Sequence, residues 1–99
     1  MDNPYLISHS GRVAEQLKAA FAKADSRGVL PLAARAAKWI VEELERTPHE
    51  FGESRDHLAY AGIRMRIAFS APLYAVFGIH EGSHTVFVGK IGWLERTLN

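Results

Sequence analysis

The 99-residue sequence contains no cysteine, which excludes a disulfide framework and a thiolate metal site. The chain has little net charge, because its 12 basic and 11 acidic residues leave a formal charge of +1 at pH 7. So small a positive charge is only weak support for an anionic partner. No apolar run approaches the roughly 20 residues of a membrane span, and residues 1–10 lack the basic start and apolar stretch of a secretion signal. We therefore expect a cytoplasmic protein that does not associate with membranes.

Several motifs that mark catalytic or ligand sites are also missing. The sequence has no phosphate-binding glycine loop, no nucleophile elbow, no HExxH-like spacing and no paired catalytic carboxylates. We therefore expect neither a cofactor nor a bound metal. The length fits one domain covering residues 1–99, and the 47% apolar and 23% charged residues are ordinary for a globular domain.

Apolar residues recur every three or four positions through the first half of the chain, which predicts two amphipathic helices. The first helix follows Ser10, a favourable N-cap, and ends at Gly28, which suits the left-handed position after a helix. The second begins at Pro31 and ends before Pro48. The short link predicts an antiparallel helical hairpin. The buried stripe of the second helix is predicted to contain Leu32, Ala36, Trp39, Ile40 and Leu44.

Residues 63–93 contain three runs rich in β-branched and aromatic residues, separated by turn residues at 70–72 and 82–83. They predict three antiparallel strands, with a three-residue first turn and a two-residue second turn. A short strand at 5–7 would add a fourth. The predicted fold is therefore α+β, with an N-terminal helical hairpin packed on one face of a three- to four-stranded antiparallel sheet.

These turn lengths pair Phe69 with Leu73 and Ala75 with Lys90, and they place Lys90 at the end of the face beneath the helices. Arg64 and Arg66 then project from the open face, because side chains two apart in a strand share a face. A slip of one residue would bury both arginines without partners, and that cost favours the chosen register. The same open face is predicted to carry Tyr74, Val76, Gly78, His80, Thr85, Phe87, Gly89, Ile91 and Trp93.

This order of a short strand, a helical hairpin and a meander resembles the RelE/ParE superfamily of bacterial type II toxins. The matching pattern is an R-x-R strand at 64–66, a strand that ends in an acid at 74–81, and V-x-V-x-x-x-G at 86–92. The resemblance implies a toxin that is paired with a cognate antitoxin protein. It also implies either mRNA cleavage at the ribosome, which inhibits translation, or inhibition of DNA gyrase by binding.

RNA cleavage by 2′-hydroxyl attack needs a base, an acid and cations that stabilise the phosphate charge. With the resemblance, this requirement implies the candidate catalytic residues Arg64, Arg66, Tyr74, His80 and Arg96. Guanidinium groups bind phosphate through paired donors, tyrosine stacks on bases or donates a proton, and histidine serves as a base near neutral pH. The predicted nucleic-acid contacts are Arg55, Arg64, Arg66 and Lys90. The predicted partner-binding residues are Phe87, Ile91 and Trp93.

Two positions depart from the family's ribonucleases and keep three hypotheses open. Tyr74-Ala75-Val76 stands where those ribonucleases have a further arginine, and Trp93 stands where a basic run begins. The hypotheses are an RNA-directed endoribonuclease, a gyrase-binding toxin, and a non-toxic interaction domain of the same fold.

Overall fold

A computed structural model of the chain describes residues 3–60 and 63–94. Two helices and a five-stranded sheet follow one another in the order β1 (Leu6–His9), α1 (Gly11–Ser26), α2 (Leu30–Arg46), β2 (Glu53–Tyr60), β3 (Ile63–Ser70), β4 (Leu73–His80) and β5 (Thr85–Trp93). The strand order is β1-β5-β4-β3-β2. The α+β class is confirmed, whereas the sheet has five strands instead of three or four. In the described part of the chain, no helix has both the length and the apolar character needed to cross a membrane.

The sheet is mixed, because β1 lies parallel to β5 and the other neighbouring strands are antiparallel. The prediction of a purely antiparallel sheet was therefore wrong at this edge. Parallel neighbours need a long crossover connection, and here the helical hairpin and three strands intervene between β1 and β5. The added strand β2 occupies a polar segment whose sequence shows no alternation of apolar residues.

The core lies between the helical hairpin and one face of the sheet. Alanines such as Ala24 and Ala33 are fully buried, and their small side chains permit close packing of the helices. Phe77 and Leu73 of β4 are fully buried on the sheet side. The larger buried residues of the cluster are Val13, Ile40, Leu44, Leu73, Phe77, Val86, Val88 and Ile91.

The buried stripe of α2 is centred differently from the prediction. Ile40 and Leu44 are buried as expected, but Leu32 is 50% exposed and Trp39 is 49% exposed. Trp39 precedes Ile40, so its side chain is rotated from the centre of the buried face by about 100°. The prediction that Leu32 and Trp39 belong to the core was therefore wrong.

The turn between β3 and β4 is one residue shorter than predicted. Ser70 pairs with Leu73 and Phe69 pairs with Tyr74, so only Ala71 and Pro72 form the turn. The predicted pairing of Phe69 with Leu73 was wrong by one position. Because strand side chains alternate between faces, this slip exchanges the two faces of β3 relative to the prediction.

The connection between β4 and β5 is a short 3₁₀ turn at Glu81–Ser83, followed by His84 in the left-handed conformation. It replaces the predicted two-residue turn but preserves the register, since Phe77 pairs with Val88 as predicted. Farther from this turn, a register shift between Phe77 and Val76 places Ile91 opposite Ala75. The predicted pairing of Ala75 with Lys90 was therefore wrong.

Candidate functional site

Arg64 and Arg66 lie on the side of the sheet that carries the helices, so their predicted place on the open face was wrong. Arg66 lies opposite Phe77, which is fully buried beneath the helices, and paired residues share a face. Arg66 is only half-buried, because α1 and α2 lie mainly over β5, β4 and part of β3. Arg64 is exposed. The free-energy cost of burying two arginines without partners is therefore largely avoided.

The Arg66 guanidinium anchors the segment that leads into β2. Its Nε–H donates to the carbonyl oxygen of Phe51 at 3.2 Å, and Nη2 donates to the carbonyl oxygen of Gly52 at 2.9 Å. Two backbone acceptors therefore hold the charged group in place. This arrangement gives Arg66 a structural role at the start of the sheet's outer strand.

Tyr74 and His80 lie on the opposite side of the sheet from the two arginines. Both alternate with the buried residues Leu73 and Phe77 along β4. They are six positions apart on one strand, which corresponds to roughly 20 Å. Arg96 lies outside the described residues. The structure thus brings no predicted cation of β3 to the face that carries Tyr74 and His80.

The register shift in β5 also changes which of its side chains are accessible. Lys90 lies on the open face, with Nζ 5.7 Å from the centre of the Tyr74 ring, so its predicted place beneath the helices was wrong. Ile91 is only 9% exposed, and Trp93 packs against the core. Their predicted place on the open face was wrong as well. Of the three predicted partner-binding residues, Phe87 alone remains well exposed, at 41%.

The side of the sheet away from the helices, hereafter the open face, is mainly apolar. Its apolar residues are Leu6, Ile63, Met65, Ile67, Phe69, Tyr74, Val76 and Phe87. The most accessible are Leu6 at 68% and Phe69 at 50%, and the Phe69 ring lies 6.4 Å from that of Tyr74. Arg55 shares this face at its outer strand and pairs with Glu53 at 3.0 Å.

Neighbouring side chains cover two glycines on the open face. A Cβ at Gly78 would meet the side chains of Ile63 and Met65, and one at Gly92 would meet the Tyr74 ring. Neighbouring side chains therefore lie across both glycines. Apolar and aromatic side chains therefore cover the backbone at these two positions.

A second polar cluster joins the N-terminal strand to two distant loops. The Tyr5 hydroxyl donates to the Glu81 carboxylate at 3.0 Å, and His49 Nε2 also pairs with that carboxylate. The Tyr5 ring stacks on His84, with 3.8 Å between ring centres. Sequence reasoning missed this cluster, because its members are far apart in the chain and meet only in the folded structure.

The same contacts shift two ionisation equilibria. The hydrogen bond from His49 is the main cause that lowers the pKa of Glu81, and the bond from Tyr5 acts in the same direction. Partial burial, followed by the hydrogen bond to Glu81, raises the pKa of Tyr5. The Glu81 and His49 side chains are both 56% exposed, so the cluster connects these segments at the protein surface. In the described part of the chain, no three acidic or histidine side chains are arranged to hold a metal ion.

Comparison with known proteins adds no assignment: no family model, no curated protein and no solved structure matches the chain.

Proposed function

We propose that this chain is the toxin component of a type II toxin–antitoxin pair, and that it acts by binding a protein target through the open face. The order of elements supports the class, because a short strand, a helical hairpin and a meander are what the RelE/ParE resemblance implies. The observation that carries the proposal is the accessible apolar surface around Phe69 and Phe87, at 50% and 41% exposure.

The composition of the open face supports protein binding. Contiguous apolar surface is uncommon on proteins that have no partner, and the centres of interfaces are rich in aromatic residues and methionine. The open face has Phe69, Tyr74 and Phe87 with Met65, while Lys90 and Arg55 supply charge around them. DNA gyrase is the target class that the resemblance implies for a binding toxin, and a cognate antitoxin that covers this face would neutralise it.

The position of the arginines also favours binding over cleavage. A ribonuclease site needs cations within reach of the same phosphate that the base and acid address. Arg64 and Arg66 belong to the other side of the sheet, and Arg66 is engaged by two backbone carbonyls. A catalytic set that includes these arginines with Tyr74 and His80 is therefore not favoured.

A second candidate, an RNA-directed endoribonuclease, is favoured by one contact. Lys90 lies 5.7 Å from the Tyr74 ring centre, and Phe69 lies beside that ring. An aromatic platform next to a cation suits an unpaired base and its phosphate. In that case Tyr74 and Lys90 carry the activity in place of Arg64 and Arg66.

Controlled expression of the chain in a bacterium, without any antitoxin, separates these functions. We expect growth arrest, intact mRNA by primer extension, and DNA breaks of the kind that follow gyrase inhibition. Rapid mRNA cleavage that Tyr74→Ala combined with Lys90→Ala abolishes would support the ribonuclease instead. Unimpeded growth at a high level of folded protein would refute a toxin of either kind and support the non-toxic interaction domain.

A further inference from the structure

The edge of β5 that faces β1 is paired along only part of its length. β1 covers β5 from Thr85 to Val88, where His9 makes the last pair. No strand of the described residues pairs with this edge at 89–93. The remaining edge borders α1 and forms one side of a groove of about 240 Å³.

The polar groups of this unpaired edge point into the groove. The Ile91 N–H donates to Gln16 Oε1 of α1 at 2.9 Å, in the place where a neighbouring strand would offer a carbonyl oxygen. Leu94 N–H donates to the Pro72 carbonyl on the β4 side, so alternation directs the N–H of Trp93 toward the same edge as that of Ile91. Gln16 thus occupies one position of an incomplete ladder.

Two basic residues lie near the end of β5: Lys23 of α1, which lines the groove, and Arg27, the residue that follows α1. Lys23 Nζ lies 5.4 Å from the centre of the Trp93 ring, and the Arg27 guanidinium carbon lies 5.5 Å from it. Both cations therefore lie beside the Trp93 ring at this end of the groove. Ala19 and Ala20, two small residues of α1, also line this groove.

From this geometry we infer that the groove between α1 and the unpaired edge of β5 binds an acidic peptide segment in extended conformation. Its backbone continues the sheet beyond β1 by pairing with Ile91 and Trp93. Its carbonyl oxygen replaces Gln16 Oε1 on the Ile91 N–H, and its acidic side chains contact Lys23 and Arg27. This surface is distinct from the open face, so the inference does not depend on toxin activity.

Two synthetic octapeptides test the inference, one alternating valine with glutamate and one alternating valine with lysine. Each is titrated into the full ¹⁵N-labelled chain while the backbone amides are followed by NMR. We expect the glutamate peptide to bind and to shift the amides of 89–93, with Ile91 and Trp93 gaining protection from hydrogen exchange. Shifts confined to Leu6–His9 would place the strand on the outer edge of β1 and overturn the inference, as would equal binding of the two peptides.

Charge reversal tests the acidic preference. Lys23→Glu combined with Arg27→Glu should weaken binding of the glutamate peptide by about tenfold or more, since two pairings become repulsions. Lys18→Glu combined with Lys38→Glu makes the same change in net charge at exposed positions away from the groove. That control should change the affinity less than about threefold, since distant exposed charges are screened by salt. Equal losses in both double variants would contradict a specific site.

The role of Gln16 distinguishes strand pairing from charge attraction alone. In Gln16→Ala the Ile91 N–H loses its internal acceptor, so the glutamate peptide no longer competes with a side chain. Tighter peptide binding in this variant supports strand addition. Unchanged or weaker binding would overturn it, because a purely electrostatic contact gains nothing from removing Gln16.

Discussion

Replacing Arg66 with methionine should destabilise the protein by about 2 kcal/mol. A hydrogen bond made by a charged group contributes about 1.5–3 kcal/mol, so the two bonds to Phe51 and Gly52 could contribute about 3–6 kcal/mol together. The loss is smaller because Arg66 is only half-buried and water can partly replace the guanidinium. Methionine retains most of the aliphatic contact, so the missing donors dominate the change.

Thermal and urea unfolding followed by circular dichroism measure this change. For a domain of 99 residues, a loss of about 2 kcal/mol lowers the Tm by roughly 10 °C. Arg35→Met is the control, because Arg35 is exposed on α2 and the same substitution there should change stability by less than about 0.5 kcal/mol. If Arg66→Met is as stable as this control, the anchoring role of Arg66 is wrong.

Three further predictions concern stability. Gly52→Ala should lose more stability than Gly28→Ala, as measured by urea unfolding of both variants. Both glycines have positive φ, but a Cβ at Gly52 would also collide with the neighbouring strand, whereas a Cβ at Gly28 would meet open space. Phe77→Ala should cost about 3–5 kcal/mol in the same assay, because the ring is fully buried. The lowered pKa of Glu81, which His49 causes, means that its contribution to stability is present above the ordinary glutamate range and is lost as pH falls through the lowered pKa. Between about pH 5 and 3, the Tm of the wild type should therefore fall more steeply than that of Glu81→Gln; parallel slopes would contradict this.

The helical hairpin was predictable because single glycine and proline residues mark the ends of its helices. Gly28 lies between the two helices, Pro31 lies in the first turn of α2, and Pro48 lies just beyond its end. The position of Trp39 was not predictable to the same degree. Apolar spacing identifies a stripe, but several neighbouring lines through the same helix satisfy that spacing, and only the packing partner selects one of them.

The register of β3 shows a different limit. Residues 70–72 are compatible with a turn of two or three residues, and the cost of burying Arg64 and Arg66 favoured the longer one. That cost arises only where the helices cover the face of the sheet. In the structure, β3 extends past the region covered by the helices, so Arg66 reaches backbone acceptors and Arg64 stays exposed.

The two faces of β5 were not determined by sequence pattern either. Ile91 and Trp93 alternate regularly, and so do Val86 and Val88, but the register shift between the two pairs is invisible in the composition. As a result, Ile91 and Trp93 lie on the helix side instead of the predicted open face, and Lys90 lies on the open face. The polar cluster at Glu81 depends on β1 pairing with β5, which no local feature of the sequence indicates.

In the proposed mode of action, the open face inhibits growth by binding a target. Growth after induction is measured for Phe69→Ser combined with Phe87→Ser, and for Leu32→Ser combined with Trp39→Ser as the control. All four positions are large exposed hydrophobic residues, but the control pair lies on α2. With equal amounts of folded protein, cells that express the open-face variant should grow normally, and cells that express the α2 variant should remain arrested. Arrest that persists in the open-face variant would contradict the proposed mode of action.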